Sequence, residues 1–444
     1  MYEPTSTKWT DVYLNEAISL LLITTCPLFL LFYWITYQDF GVSISSSAEA
    51  LISDGILNFL ARCPRPTVAS TTAYAAWILS QAALYHALPG PLHRGPRTPG
   101  GRQLLYRLNG FYAWMLTIGI AAVATFGRLI DPTYIARHWG DLLATANVYC
   151  AALIVIFYVK ARLKPDNAGE TLLTGHFWYD LFNGGELHPR TGVLFDWKHF
   201  NASRTGGLLL WTLIADLGAS DLSFVAFQYQ LHGVVTNAMI MATIFRGIIV
   251  GEYFYFENWF FETLDGAHER FSFYSIYGFA AIMPQIWTLQ TQYLARYPVD
   301  LSNAMTIAVT TAFAAGWVLN HDANRQKSNC REMAGNCLIW GREAQFLEAT
   351  YQTADGKKHR TVLLYSGWWG VVRHANYVGS LLYTWASCAA CGAGHFFPYT
   401  EALLVTATVV HRCFRDEARC KEKYGDTWDE YCKIVKWRMI PGIF

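Results

Sequence analysis

This sequence has little charge for its length. Only 15% of its 444 residues are Asp, Glu, Lys or Arg, whereas 53% are hydrophobic, and the formal net charge is +1. A chain with this balance offers no basic footprint for nucleic acid. Its apolar residues are not dispersed as amphipathic stripes, which argues against the soluble domains that this length would otherwise suggest.

Several familiar motifs are also missing. The ten cysteines lie mostly in or beside apolar runs and follow no disulfide spacing, which fits reduced thiols. Cys388, Cys391 and His395 lack a second ligand pair at zinc spacing, so we expect small-residue helix packing there and no bound metal. No G-x-G-x-x-G follows a predicted strand. A dinucleotide, if bound, must therefore lie in a pocket between helix ends rather than in a Rossmann fold.

Long hydrophobic runs are what the sequence does contain. The stretches 17–35, 111–126 and 142–159 approach the roughly 20 residues that a spanning helix needs. The fold class predicted is all-α, a polytopic membrane protein. We expect an uncleaved first span, because an acidic segment precedes it and no A-x-A-like site follows it. Hydropathy places about ten transmembrane helices, near residues 14–37, 68–88, 109–127, 141–160, 206–226, 232–251, 272–294, 302–320, 376–393 and 396–411.

The loop charges orient these spans. Most loop Lys and Arg residues fall on the side that would also hold both termini, so the positive-inside rule makes both termini cytoplasmic. The two largest polar segments, 321–373 and 411–444, then face the cytoplasm and are joined by a tight two-helix hairpin. The sequence therefore predicts a cytoplasm-facing, C-terminal site.

The segment HRCFRDEARCKEKYGDTWDEYC, residues 411–432, carries dense charge. If residues 411–424 continue the last helix, five charged side chains share one face. These are Arg412, Arg415, Asp416, Arg419 and Lys423. Two interpretations stay open on this segment alone: a face for anionic lipid headgroups or solvent salt bridges, and a site for a phosphorylated ligand.

The 321–373 segment adds a second polar group. Asn324, Lys327 and Arg331 share a helical face by their spacing. SGWWGVVRHANYVGS, residues 366–380, then brings two adjacent tryptophans and a set of polar side chains to the mouth of a predicted span. Such groups are costly there unless they line a cavity or find partners. The aromatic rings suit a nicotinamide or an adenine.

Three motifs occur in a characteristic order: YDLFNGGELHPR at 179–190, RHANYVG at 373–379 and HRCFRDEARCKEKYGDTW at 411–428. Together they resemble the signatures of the sterol reductases of the endoplasmic reticulum membrane, with similarity from about residue 50 to the last residue. CPRPT (63–67), CLIWGR (337–342), YQTADG (351–356) and the final PGIF look like the delta-7 branch rather than the delta-14 branch. The family also includes delta-24(28) reductases.

The resemblance implies NADPH-dependent reduction of the C7=C8 double bond of delta-5,7 sterols in sterol biosynthesis. An acid would protonate the alkene and NADPH would deliver hydride. The implied partners are a sterol, the lipid bilayer and, as candidates, other enzymes of sterol biosynthesis. The implied organisation is one integral-membrane domain over 1–444, with N-terminal helices in 1–226 and a catalytic half with the NADPH and sterol pockets in 227–444.

The resemblance also implies individual site residues. The NADPH contacts it implies are Lys327, Arg331, Trp369, Arg373, His374, Asn376, Tyr377, Arg412, Arg415, Asp416, Lys423 and Tyr431. Asp416 matches a family residue near the reacting end. The proton-donor candidates are Asp416, Glu257, Tyr253, Asp265 and His268, with Tyr255 and Glu262 beside them. Burial near the membrane is expected to raise a carboxyl pKa and favour the protonated acid.

Four positions depart from the family pattern: Ser380 stands where an acid is usual, His188 for Asn, Cys330 for Phe and Glu269 for Asp. Three rival functions remain. One is a delta-14 sterol reductase. A second is an isoprenylcysteine methyltransferase-like enzyme, whose RHPxYxG pattern is superficially similar to RHANYVG. The third is a lamin-B-receptor-like scaffold, which carries an added soluble N-terminal domain that we do not expect here.

Overall fold

The computed structural model describes residues 9–205 and 221–444. The described chain is mostly helical, as predicted, and its strands form short antiparallel hairpins. It divides into two compact units. The first comprises described residues up to 97, 103–300 and 393–398; the second comprises 98–102, 301–392 and 399–444. The sequence predicts a different division, between N-terminal helices in 1–226 and a catalytic half in 227–444. That division stays a prediction.

The first unit contains helices that are joined by short turns. They are α1 (Trp9–Asp39), α2 (Ile44–Asp54), α3 (Ile56–Leu60), α4 (Val68–Ala87), α5 (Gly110–Phe126), α6 (Tyr134–Arg137), α7 (Trp139–Leu163), α8 (Phe177–Asn183), α9 (Trp197–Phe200), α10 (Asp221–His232), α11 (Asn237–Tyr255), α12 (Leu264–Ala267), α13 (Phe273–Tyr277), α14 (Met283–Ile286) and α15 (Leu289–Arg296). π-Helical turns cover Asn201–Thr205 and Gly278–Ile282, and 3₁₀ turns cover Ala168–Glu170 and Glu257–Glu262. The hairpins are β1 (Leu92–Arg97) with β2 (Gln103–Arg107), and β3 (Arg190–Thr191) with β4 (Phe195–Asp196).

Three helices in the described residues are long and apolar enough to cross a membrane. They cover Tyr13–Asp39, Trp139–Leu163 and Asn237–Tyr255, which match three of the predicted spans. Gly110–Phe126 is apolar but shorter. Helices also occupy the other predicted spans within the described residues, without meeting the same length and hydropathy, and most of the predicted span 206–226 lies outside the described residues.

The acids of the motif at 179–190 fasten it to the end of α7. Asp180 Oδ2 accepts a hydrogen bond from Arg162 at 3.0 Å, and Glu186 Oε1 accepts one from Lys160 at 2.6 Å. Both carboxylates are buried. A buried acid must be paired, and these contacts supply the partners. They therefore explain the two acids of the motif by their structural role in the first unit.

The second unit is built on a pair of helices and a long hairpin. Its elements are β5 (Leu338–Ile339), β6 (Arg342–Glu343), β7 (Phe346–Gln352), β8 (Lys358–Leu364), α16 (Asn303–Glu332), α17 (Trp368–Val371), α18 (Ala375–Ala389), α19 (Thr400–Tyr424) and α20 (Asp426–Ile434). β7 pairs with β8 in register from Phe346–Leu364 to Gln352–Lys358. The predicted continuation of the last long helix through residue 424 is confirmed, and Gly425, with φ of 56°, separates α19 from α20.

Glycines let α16 and α18 approach closely. A Cβ on Gly316 would lie 2.5 Å from the Tyr383 backbone nitrogen, and one on Gly379 would lie 2.5 Å from that of Asn320. Gly379 is the glycine of RHANYVG. Its missing side chain therefore sets the spacing of the helices that carry much of the predicted cofactor site.

Candidate functional site

Three cationic side chains in the second unit act electrostatically on one thiol. The positive charges of Arg331, Lys327 and Lys423 all act on Cys420, and so does the negative charge of Asp416. Burial is the largest influence and, with Asp416, raises the pKa of Cys420 to about 11 despite these cations. Three of the predicted phosphate contacts, two on α16 and one on α19, thus act on the same side chain within this unit. We call Lys327, Arg331 and Lys423 the cation cluster.

Aromatic rings lie against two of these amines. Lys327 Nζ is 5.3 Å from the centre of the Trp369 ring, and Lys423 Nζ is 4.1 Å from the centre of the Tyr351 ring. Tyr351 comes from β7, so the hairpin forms one wall of the cation cluster. Clustered cations beside flat apolar surfaces have the chemistry that a dinucleotide requires, with donors for phosphate and faces for its rings.

Hydrogen bonds hold Trp369 in place. Its Nε1 donates to Ala323 O at 2.8 Å, and the Tyr431 hydroxyl donates to Trp369 O at 3.4 Å. Tyr431 stacks on Trp428 with ring centres 5.0 Å apart. Trp369 and Tyr431 are both buried in the second unit, and their contacts with nicotinamide and ribose stay a prediction.

Three asparagine side chains close a ring of hydrogen bonds between α16 and α18. Asn376 Nδ2 donates to Asn324 Oδ1 at 3.1 Å, Asn324 Nδ2 donates to Asn320 Oδ1 at 3.1 Å, and Asn320 Nδ2 donates to Asn376 O at 2.7 Å. Asn376 is therefore engaged between the two helices, and its contact with a cofactor stays a prediction.

Asp416 pairs with a tyrosine of the second motif. The Tyr377 hydroxyl donates to Asp416 Oδ2 at 2.5 Å, and the Tyr377 ring stacks on His374 with a 5° interplanar angle. The buried His374 Nε2 has no hydrogen-bond partner within residues 9–205 and 221–444, although it lies 3.7 Å from Glu417 Oε1. Such a buried ring nitrogen suits a polar group of a ligand.

Arg373 is held by the protein itself. Its Nε donates to Glu417 Oε1 at 2.8 Å, and its Nη1 donates to Val435 O at 2.8 Å and to Lys436 O at 3.0 Å. Arg438 Nε donates to the other oxygen of Glu417 at 3.0 Å. Burial raises the pKa of Glu417, but His374, Arg373 and Arg438 outweigh this effect and lower it to about 2. A direct cofactor contact by Arg373 stays a prediction.

The remaining predicted residues of this unit lie on the same helices. Arg412 and Arg415 are half-buried on α19, within one turn of Asp416, and Arg331 is exposed near the end of α16. Ser380 replaces the usual acid. Its hydroxyl donates a hydrogen bond to Tyr377 O at 2.9 Å, within the same helix.

The first unit contains a second buried polar group, centred on Glu257. Arg204 Nη2 donates to Glu257 Oε1 at 2.8 Å, and the Gly110 backbone N–H donates to Glu257 Oε2 at 2.8 Å. His199 Nε2 lies 3.2 Å from the same carboxylate, and its Nδ1 is 2.9 Å from the Tyr85 hydroxyl. These side chains are buried.

This arrangement contradicts the expectation that burial keeps Glu257 protonated. Burial does raise its pKa, but the charge of Arg204 and the hydrogen bonds from His199 and Gly110 outweigh that effect and lower it to about 2. Glu257 is therefore ionised at neutral pH. A catalytic role for it stays a prediction, but as a counter-charge or proton acceptor rather than as an acid.

The other predicted donors of this unit lie near Glu257 or α12. The Tyr253 hydroxyl is buried and lacks a hydrogen-bond partner within the described part of the chain. Asp265 is buried in α12, and His268 follows that helix half-buried. Lys198 Nζ donates to Gly266 O and Glu269 O, both at 2.8 Å. Its burial lowers the pKa of Lys198 to about 8, against the opposing charges of Asp196, Glu269 and Asp265.

Some of these residues were not predicted from the sequence. Arg204, His199 and Lys198 follow the first motif directly, but they carry no spacing that distinguishes them from loop charges. Glu417 lies outside the predicted cationic face of α19. Tyr351 belongs to YQTADG, which pointed to a branch of the family rather than to a site.

Comparison with known proteins places this chain in a family. Residues 18–444 match the ergosterol biosynthesis ERG4/ERG24 family. The chain is 35% identical to 7-dehydrocholesterol reductase of Xenopus laevis, over 98% of this chain and 94% of the relative. It is 33% identical to Delta(14)-sterol reductase of Methylotuvimicrobium alcaliphilum, over 96% and 94% of the two chains. It is also 29% identical to 7-dehydrocholesterol reductase of Arabidopsis thaliana, over 96% and 97%.

Proposed function

This chain belongs to the ergosterol biosynthesis ERG4/ERG24 family, and from that premise we propose that it uses NADPH to reduce the C7=C8 double bond of delta-5,7 sterols. The relatives named 7-dehydrocholesterol reductase support this choice. The relative named Delta(14)-sterol reductase favours delta-14 reduction as the second candidate. The proposed setting is the endoplasmic reticulum membrane, with both termini cytoplasmic and the sterol entering from the bilayer.

The cation cluster is the observation that carries the proposal. Lys327, Arg331 and Lys423 act on one half-buried thiol, that of Cys420, and Trp369 and Tyr351 lie against the amines of Lys327 and Lys423. Phosphate groups take charged donors of this kind, and the flat rings suit the aromatic parts of a dinucleotide. We propose that these residues hold the phosphates of NADPH, which supplies hydride when bound.

The protein's own residues would supply the proton for the reduction. Reduction of an unpolarised alkene needs an acid, and protonation at carbon 8 of a delta-5,7 diene leaves an allylic cation at carbon 7. We assign the proton to the Tyr377–Asp416 pair, in which the Tyr377 hydroxyl would give its proton to carbon 8 and would regain one from solvent through the carboxyl group of Asp416. Tyr253, Asp265 and His268 remain candidate donors, and Glu257 is assigned the role of a fixed negative charge.

Expression in yeast tests the activity. Microsomes that contain the protein should convert 7-dehydrocholesterol to cholesterol with NADPH, seen as loss of conjugated-diene absorbance, and should do so much less well with NADH. Reduction of a delta-8,14 diene without any delta-7 product would reject the preferred substrate in favour of the second candidate.

Two neighbouring lysines give a matched pair of variants for cofactor binding. Lys423→Gln should raise the KM for NADPH by about tenfold or more, since it removes one charged donor. Lys421→Gln should leave that KM unchanged, because Lys421 lies outside the cation cluster and is bonded to Asp429 instead. Equal effects of the two changes, or none at Lys423, would remove the cation cluster from cofactor binding.

A further inference from the structure

The ion pairs and hydrogen bonds of Glu417 connect three separate segments of the chain. Its two carboxylate oxygens bind Arg373, just before α18, and Arg438, which follows α20. Arg373 also donates to the carbonyl oxygens of Val435 and Lys436. We call Glu417, Arg373, Arg438 and segment 435–438 the carboxylate clamp. All of it lies within the second unit.

Backbone hydrogen bonds add to this connection. The Arg373 N–H donates to Trp437 O at 2.9 Å, and the His374 N–H donates to Arg438 O at 2.9 Å. Segment 435–438 therefore lies against residues 373 and 374. These bonds satisfy backbone donors at the start of α18, where helical partners are missing. The segment thus acts as an external cap for that helix.

The clamp is adjacent in sequence to the predicted reacting pair. Asp416 and Glu417 are neighbours on α19, and their partners Tyr377 and Arg373 lie on either side of the residue where α18 begins. Two neighbouring carboxylates thus tie α19 to the beginning of α18 at two points. A hydrogen bond at one point depends on the orientation that the other point maintains.

From this geometry we infer that Glu417 is a positioning residue for the reduction, acting through the carboxylate clamp to hold His374 and the Tyr377–Asp416 pair in place. The inference rests on the proposed function for its kinetic consequence. Its structural part does not, because the clamp is defined by contacts alone. Glu417 contacts Arg373, Arg438 and His374, none of which belongs to the cation cluster that is proposed to hold the phosphates, so its loss should affect turnover more than capture of the cofactor's phosphates.

Hydrogen exchange measures the clamp without any turnover. In the Glu417→Gln variant, amides in 373–377 and 435–439 should exchange faster than in the wild-type protein. Asp429→Asn is the matched control, because it removes an exposed carboxylate of α20 that is bonded to Lys421. Unchanged exchange at residues 373–377 in Glu417→Gln, or an equal change in the control, would overturn the clamp.

Kinetics then separate positioning from stability alone. For Glu417→Gln we expect kcat per folded enzyme to fall by about 10- to 100-fold, while the KM for NADPH stays within about threefold, since the cation cluster is unaltered. Glu417→Asp keeps the charge but shortens the side chain, so it should recover the melting temperature and not kcat. Recovery of both by aspartate, or a lowered melting temperature with normal kcat, would reduce Glu417 to a structural residue.

The choice of sterol keeps this test distinct from that of the proposed function. If the wild-type protein reduces a delta-8,14 sterol and not 7-dehydrocholesterol, the preferred substrate fails, and the same variants are compared on the delta-8,14 sterol. If the wild-type protein reduces neither sterol, the proposed function fails, while the exchange measurement still decides whether the clamp exists.

Discussion

Replacement of Glu257 by glutamine is a severe test of the first unit. Arg204 is 0% exposed and Glu257 is 2% exposed, and each supplies the charge that compensates the other. Removing one partner of a buried ion pair leaves an uncompensated charge, at a cost of about 3–5 kcal/mol. The lowered pKa of Glu257 has the same cause, since the charge of Arg204 is the main influence that favours its ionised form. We therefore expect Glu257→Gln to lower the free energy of unfolding by about 3–5 kcal/mol.

The pH dependence has a definite sign. Because the folded-state pKa of Glu257 is below its unfolded value, its contribution to stability is complete above pH 4.5 and is lost as the pH falls towards about 2. The glutamine variant has no such group. The difference between wild type and variant should therefore be constant at neutral pH and should shrink on acidification below about pH 5.

Equilibrium unfolding in mixed detergent micelles at a series of pH values measures both effects. Asp429→Asn serves as the control, because its pair with Lys421 is exposed and should contribute only about 0–1 kcal/mol. A loss below about 1 kcal/mol at neutral pH for Glu257→Gln, or a loss that does not shrink on acidification, would refute the buried ion pair as the source of stability.

Three further changes probe the second unit. Gly379→Ala should destabilise the protein by about 1–3 kcal/mol, because its Cβ would lie 2.5 Å from the Asn320 backbone nitrogen; an unchanged melting temperature would contradict the close helix contact. Asp416→Ala should lower kcat by at least about 100-fold in protein that remains folded, and near-normal turnover would remove Asp416 from the chemistry. Tyr351→Leu should raise the KM for NADPH about two- to fivefold by removing the ring against Lys423, whereas Tyr351→Phe should not.

The charged helix shows what sequence periodicity can predict. The 100° spacing placed Arg412, Arg415, Asp416, Arg419 and Lys423 on one face of a helix, and α19 runs through all of them. The expected meeting of segments 321–373 and 411–444 is also found, in the contacts of Arg373 with Glu417 and with the backbone at 435 and 436. Regular helices make such inferences reliable, because a residue's direction follows from its number.

Glu417 and Glu257 show where that reasoning ends. Glu417 falls outside the cationic face, and its partner Arg438 lies in an irregular segment with no periodicity to read. Glu257 was expected to be a neutral acid because burial alone raises a carboxyl pKa. Its actual state depends on Arg204, which is 53 residues away along the chain. The sign of such a shift follows from tertiary contacts and not from local composition.

The hydrogen-bonded asparagines and the facing glycines make α16 and α18 behave as one body. A slide of one helix past the other would break the bonds among Asn320, Asn324 and Asn376 and would also drive backbone atoms together at Gly316 and Gly379. Internal motions of the second unit should therefore occur mainly outside the α16–α18 pair. The β7–β8 hairpin is the part from which we expect movement during each cycle of cofactor exchange.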